Sequence, residues 1–328
     1  MASIMFLGYS NLVKGRILPI LKQAGFTEVS IAKYEGQPWD EDYKKCGLPV
    51  MCYDNYEDGL ASFKGDVVYV STVNSTHVQF GKKSLEAGFN TIIDKPATAT
   101  YEEAYELVEL AKSKGLYVGE STVYLEHPQL TTIKQIFDNN GDAPKMLTVH
   151  FTMPPFKPEN FRYQKSLGGG AIMDTAPYAV SVARYFLGGE PVQVFCVVNE
   201  RQADGLDIEY SLLMQYVDGK SMIGHFGFNT EYINQVFLMG NRTNVTVNRI
   251  FTIPDTMENE LVVNHMNETS KVVTPSGNNF ELYLAKALKK IQAKDYEEAY
   301  RSLLSDAKVI FHCLLLFYMH SILSDQPP

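Results

Sequence analysis

In the stretch SLGGGAIMDTAPYAV, Asp174 and Tyr178 stand four residues apart, just after Gly168, Gly169 and Gly170. Helical residues at that spacing share a face, so the carboxylate and the phenol would point into one space while the glycines let the chain pass close to a ligand. A phenol held in this way is a proton donor. Its ordinary pKa is about 10, and an ammonium nearby lowers it by stabilising the phenolate. Two structural roles compete with that chemistry: Asp174 can cap the helix, and Tyr178 can be a core aromatic. Lys95, just before Pro96 in NTIIDKP, sits at the end of a strand, where parallel sheets bind ligands. Arg162 in NFRYQ pairs either with a substrate phosphate or hydroxyl or with a neighbouring carboxylate. His127, also before a proline, reads as a structural hydrogen-bonder.

The elements that must position these groups fall into two patterns. Up to residue 122, short apolar runs (SIMFLG, TEVSIAKY, DVVYVST, NTIIDKP, LYVGEST) alternate with helical periodicity through ILPILKQAG and HVQFGKKSLEAG. Strand, helix, strand in repetition implies a parallel sheet with right-handed crossovers. After NTIIDKP, Thr100 and Glu103 form a capping box ahead of a stripe of Ala104, Leu107, Val108 and Ala111, and Gly115 ends that helix. Beyond one further helix, PQLTTIKQIFDN, long alternating runs predict a largely antiparallel sheet, with a hairpin at Val217-Asp218-Gly219-Lys220. A helix beginning between Asp174 and Pro177 covers one face of it, and two helices close the chain and pack back against the core. The expected fold is thus α/β: an N-terminal Rossmann dinucleotide-binding domain over 1–122 and a C-terminal α+β domain with a large, mostly antiparallel open sheet over 123–328.

In the first domain, FLGYSNLVKGRILP lies where a phosphate loop belongs, with Gly8, Ser10 and Val13 in the three glycine slots. Only the first glycine is kept. Ser10 can still donate to a phosphate, Asn11 and Leu12 complete the loop, and the helix N-terminus favours the anion. After the second strand comes Lys33, with no carboxylate before Glu35. This leans towards NADP over NAD, unless Lys33 is a solvated loop cation.

At 328 residues the chain is long enough for two domains. A net charge of -9 with no dense Lys/Arg cluster argues against nucleic acid. The four cysteines form no C-x-x-C pair and stand at no zinc spacing, which predicts reduced thiols in a cytoplasmic protein without a metal. The most apolar run, FHCLLLFYMHSIL, is too short for a membrane span and is interrupted by His312 and His320, so it reads as a buried helix.

The segments VVYVSTVNSTHVQFGKKSLEAGFNTIIDKPAT, GESTVYLEHPQ and ENFRYQKSLGGGAIMDTAPYAVSVARYFLGG follow in order along the chain. With Asp94-Lys95-Pro96 and the G-G-G-x-x-x-D segment as its most specific pieces, the sequence resembles the glucose-fructose oxidoreductase and inositol dehydrogenase family of nicotinamide-dependent sugar oxidoreductases. The resemblance implies that Lys95 touches both nicotinamide ribose and substrate, that Thr72, Asn74 and His77 line the cofactor cleft, and that Asp174 lies near the substrate. Position 178 is commonly His in the family. Tyr178 is similar to the residue in reductases of nucleotide-linked 3-ketosugars, and some dihydrodiol dehydrogenases look similar around EHPQ and FRYQKSLGGG. Three departures stand out: the lost second glycine, Asp94 in place of Glu, and Leu125 where Arg is frequent.

The expected chemistry is hydride transfer between a nicotinamide cofactor and a secondary alcohol or ketone of a sugar, with nucleotide-linked ketosugars among the candidates. Tyr178 would be the acid, Lys95 its electrostatic partner, and Asp174 the orienting carboxylate, with Arg162 at the substrate. A dihydrodiol or cyclic-polyol dehydrogenase and a non-catalytic ligand sensor are the alternatives. The uncovered sheet face predicts a homodimer or homotetramer.

Overall fold

A computed structural model describes residues 2–324, with side chains to Leu316. The chain forms two compact units, one of residues 1–123 and 280–307, the other of 124–279 and 308–328.

The first unit is built on six parallel strands: β1 (Ala2–Leu7), β2 (Phe26–Ala32), β3 (Val50–Tyr53), β4 (Val67–Val70), β5 (Asn90–Ile93) and β6 (Val118–Glu120). Their spatial order is β3-β2-β1-β4-β5-β6, the doubly wound arrangement, with its switch point between β1 and β4. Five of these strands match the apolar runs of the sequence. The sixth, β3, is a four-residue edge strand with no fully buried side chain, so it lacks the alternation that marks a strand. The helix expected at ILPILKQAG is displaced towards the N-terminus. Helical turns run over Val13–Ile17 and Leu18–Ile20, and the chain then turns through Gly25 into β2. Pro19 fits the first turn of a helical segment, where its missing N–H costs nothing, whereas in the interior it would cost a hydrogen bond. The helices α1 (Tyr56–Ser62), α2 (His77–Glu86) and α3 (Tyr101–Lys114) pack on the sheet. Thr100 and Glu103 make both bonds of the capping box, and Gly115 ends α3 in the left-handed region.

The second unit begins with α4 (Pro128–Asn139), capped by the His127 side chain, which accepts from the Gln129 amide. Eight strands follow: β7 (Met146–Thr152), β8 (Gln193–Arg201), β9 (Asp207–Gln215), β10 (Ser221–Gly227), β11 (Ile233–Met239), β12 (Thr243–Asn248), β13 (Asn259–His265) and β14 (Glu268–Thr274), in the order β14-β13-β12-β11-β7-β10-β9-β8. Only the β7–β10 pair is parallel. Between β7 and β8 runs α5 (Ala171–Leu187), whose Ile172, Ala176, Ala179 and Ala183 join a core with Val149, Phe151, Tyr210, Leu212 and Phe226. Its small residues let the helix approach the sheet closely. The opposite face keeps Phe195, Val197, Ile223 and Ile233 exposed. It bears a depression of about 380 Å³, lined by the first three of these together with Thr148, His150 and His225.

The helices α6 (Asn279–Ala293) and α7 (Glu297–Ser324), expected in the second domain, are divided between the units: residues 280–307 belong to the first and α7 from Lys308 on to the second. Phe280, Tyr283, Leu284, Ala287 and Leu288 of α6 pack in the core of β1 and β2, and α7 contributes to the first unit up to Ala307. The run expected as a buried helix at its end is only partly so. Cys313 is buried, His312 and Leu315 are exposed, and His320 lies outside the described side chains. All four cysteines are free, and no helix among the described residues is long and apolar enough to cross a membrane.

Candidate active site

In the first unit the chemistry-bearing residues gather at the carboxyl ends of the strands. Gly8 follows β1 with φ +119°, and a Cβ there would collide with the Ser71 carbonyl, so glycine lets the β1 and β4 ends touch at the switch point. The next residues run into the first helical turn. Ser10 Oγ accepts from the Val13 amide at 3.1 Å and meets Ser71 Oγ at 2.9 Å, so the hydroxyl in the second glycine slot caps its own turn. Asn11 is exposed and Leu12 half-buried. Nothing from Gly8 to Leu12 carries a negative charge, and the segment opens a helical turn. These residues fit a dinucleotide pyrophosphate.

Lys33 is less available than its position suggested. Its ammonium is buried, pairs with Asp54 at 2.8 Å and lies 5.5 Å over the Trp39 ring. The Lys33 bond, then the Trp39 indole, hold the Asp54 carboxyl below the usual range. Lys33 is therefore not the solvated cation of the alternative reading.

Around Lys95 the structure adds partners that the sequence did not disclose. Asp94 accepts from Tyr69 (2.5 Å), Ser71 (2.6 Å) and Ser121 (3.0 Å), which ties the ends of β4 and β6 to the carboxylate that follows β5. Lys95 is half-buried and joined to Pro96 by a cis peptide. His77, expected to line the cofactor cleft, is buried instead. Its Nδ1 faces the Pro96 carbonyl at 2.8 Å and its Nε2 faces the Thr72 carbonyl at 3.2 Å, and burial lowers its pKa. What His77 offers is the spacing of two loops, not a nitrogen for a ligand. Thr72 and Asn74, half-buried, lie on the loop it holds, where Thr72 Oγ1 accepts from Thr76 at 2.8 Å. Glu120, at the end of β6, accepts from the Ala97 amide (2.8 Å) and from Thr122 Oγ1 (3.0 Å). Burial and then the Asp306 charge push its pKa up to about 7. The strand-end rule that picked out Lys95 applies equally to Glu120, but its place inside LYVGEST was read only as the close of a strand.

In the second unit, α5 starts at Ala171, three residues before the expected Asp174. Its first turn is capped from the sheet: Asp207, on β9 and buried, accepts from the Ile172 amide at 2.6 Å. Asp174 is therefore no cap. It is buried within the helix and held by Arg162, with Nε at 2.8 Å and a second guanidinium nitrogen at 3.3 Å. Of the two partners weighed for Arg162, the structure provides the carboxylate. The guanidinium also stacks 4.9 Å from the Phe156 centroid and 4.8 Å from that of Phe161. Gly169 and Gly170 make room for the protein's own chain. A Cβ on Gly169 would stand 2.6 Å from the Arg162 carbonyl, and one on Gly170, at φ +110°, would stand 2.6 Å from the Asp207 carboxylate.

Tyr178 lies one turn beyond Asp174, half-buried. Its ring packs against Phe151 (5.0 Å), Phe251 (5.2 Å) and Tyr124 (5.7 Å), so the aromatic-core role is real. Pro177 stands inside the helix, and the Tyr124 hydroxyl donates to the Tyr178 carbonyl at 3.3 Å and meets Ser181 Oγ at 2.7 Å, which fixes this turn from the side. Leu125, in the place of the frequent arginine, packs against the same core.

Comparison with known proteins gives matches to both units. Residues 4–122 match the oxidoreductase family with an NAD-binding Rossmann fold, and residues 133–246 match the GFO/IDH/MocA C-terminal domain. The dTDP-3,4-didehydro-2,6-dideoxy-alpha-D-glucose 3-reductase of Saccharopolyspora spinosa is 29% identical over 250 residues, 76% of this chain and 75% of that protein. The D-xylose 1-dehydrogenase (NADP(+)) 2 of Haloferax volcanii is 24% identical over 256 residues, 78% of each. Among solved structures, a 3-ketoreductase from Actinomadura kijaniata in complex with NADP and TDP-benzene has the same fold, with a TM-score of 0.87 and 23% identity over 94% of this chain and 95% of that one.

The glycine geometry has a direct consequence for stability. Gly170→Ala forces a positive φ on an alanine and drives its Cβ into Asp207, and should destabilise the protein by about 3 kcal/mol. Chemical denaturation, comparing it with an alanine at the unconstrained Gly15, measures the difference.

Proposed function

The chain belongs to the GFO/IDH/MocA oxidoreductase family, with an NAD-binding Rossmann fold in its first unit, and from that premise we propose that it reduces a ketone of a nucleotide-linked sugar. The nicotinamide dinucleotide, when bound, supplies or accepts the hydride. Tyr178 gives its phenolic proton to the carbonyl oxygen as negative charge develops there, and takes it back in the reverse direction. The Lys95 ammonium stabilises the negative charge that develops on the substrate oxygen. Asp174, fixed by the two-point Arg162 pair, accepts from a substrate hydroxyl and sets the sugar's orientation.

The observation that carries the reading is the construction of α5. An ionisable phenol and a rigidly held carboxylate sit one turn apart on a helix whose start is fixed by a buried cap and two close chain approaches. The ring packing at 178 would be met by a phenylalanine, so the hydroxyl is what the scaffold does not need. The ketosugar 3-reductases among the relatives favour the substrate class, and the xylose dehydrogenases favour a sugar more broadly. The reading also includes NADP as the preferred cofactor, a cytoplasmic setting and a homo-oligomer that covers the open sheet face.

Wild-type protein should turn over a dTDP-linked 3-ketosugar faster than an aldopentose, a cyclic polyol or a dihydrodiol, followed by nicotinamide absorbance. Tyr178→Phe should lower kcat by about 10²- to 10⁴-fold while leaving NADPH binding intact. Full turnover by that variant would remove Tyr178 from the mechanism. Fluorescence titration should give tighter binding of NADPH than of NADH. Equal affinities in the wild type would refute the NADP preference. Light scattering should report a dimer or tetramer, and Ile223→Lys, on the open face, should shift it towards monomer. A monomeric wild type would refute the assembly.

A further inference from the structure

The end of β6 grips the chain on both sides of Lys95. Ile93 of β5 pairs with Glu120 of β6, so the residues that follow these strands run side by side. Ser121 donates to Asp94, the residue before Lys95, at 3.0 Å. Glu120 accepts from the amide of Ala97, two residues after Lys95, at 2.8 Å. The remaining Glu120 oxygen accepts from Thr122 at 3.0 Å, and the Glu120 carbonyl accepts from Tyr283 of α6 at 2.9 Å. A neutral acceptor would satisfy the Ala97 amide just as well. A carboxylate in this surrounding is costly, and more so with Asp306 of α7, itself buried, opposing its charge. Among the charges that act on it, Lys95 is the one that favours the ionised form.

We propose that Glu120 is a positioning residue for Lys95: it anchors the Asp94–Ala97 segment through the Ala97 amide and, in its ionised form, holds the Lys95 ammonium electrostatically in the orientation used on substrate. Protonation removes that attraction while the Ala97 anchor can persist. The groups acting on this carboxyl are Lys95 from the end of β5, Thr122 after β6, Tyr283 from α6 and Asp306 from α7, while Asp94 and Lys95 act on His77 across the loop. Burial and Asp306 raise its pKa to about 7, above the ordinary carboxylate value. Glu120 is therefore neutral below that pH and charged above it, and the function of Lys95 rises as the pH rises through neutrality. This inference rests on the proposed reductase reading.

The test pairs kinetics with a readout that needs no turnover. In wild type, kcat/KM for ketosugar reduction should have an acid limb with its midpoint near pH 7. Glu120→Gln keeps the size and one acceptor but removes the charge. It should lose that limb and lower kcat about tenfold, with NADPH affinity within about twofold of wild type. Asp306→Asn, which removes the opposing charge, should move the limb down by about half a unit to one unit, without loss of rate at high pH. Independently, the lysines are labelled by reductive ¹³C-methylation and the Lys95 resonance is assigned with Lys95→Arg. That resonance should show a step near pH 7 in wild type that is absent from Glu120→Gln. An unchanged limb or an unchanged step in Glu120→Gln overturns the proposal. A wild type that reduces no carbonyl substrate overturns the reductase reading alone, because the resonance still decides whether Glu120 governs Lys95.

Discussion

A carboxylate withdrawn from water must find a donor for each of its oxygens or give up its charge, and the strand ends of the first unit are arranged around that constraint. Asp94 meets it with three hydroxyls drawn from the ends of β4 and β6. One of them, Ser71, passes the connection on to Ser10 in the loop after β1. The loop expected to meet a pyrophosphate and the loop that carries Lys95 thus share one hydrogen-bonded chain. An aspartate in place of the family's glutamate costs this network nothing, because its shorter carboxylate is fully engaged where it stands.

The second unit applies the same rule to a helix. Asp207 reaches from the sheet to the first turn of α5, where an orphan amide needs an acceptor, and this fixes where the helix begins. Asp174 is then presented one turn in, and the Arg162 guanidinium takes both of its oxygens. The same arginine stacks on two phenylalanines and has its carbonyl against Gly169, so the loop before the helix and the helix itself are held as one piece. Rigid support of this kind suits a residue that must orient a substrate, since its side chain has little freedom left to lose on binding.

Tyr178 has a ring packed among three others, yet it is only half-buried. Packing and proton donation are therefore not rival roles here. The ring is located by its hydrocarbon contacts, which leaves the hydroxyl position defined by the helix and not by a flexible chain.

Periodicity, capping signals and turn chemistry were enough to establish the fold class from sequence, though not that residues 280–307 belong with the first unit. They located the parallel strands β1, β2, β4, β5 and β6, the whole antiparallel set with its hairpin, the capping box of α3, and the spacing of Asp174 and Tyr178, because all of these are encoded within a few residues of one another. The edge strand β3 escaped notice, as its side chains alternate with nothing buried. Tertiary structure alone decided which partner Arg162 takes, that Asp207 and not Asp174 caps α5, that the glycines face the protein's own carbonyl and carboxylate, that His77 is spent on two main-chain carbonyls, and that Glu120 stands beside Lys95. Each of those facts depends on residues from separate strands and loops being brought within about 3 Å, the reach of a hydrogen bond, and no local pattern in the chain records such a meeting.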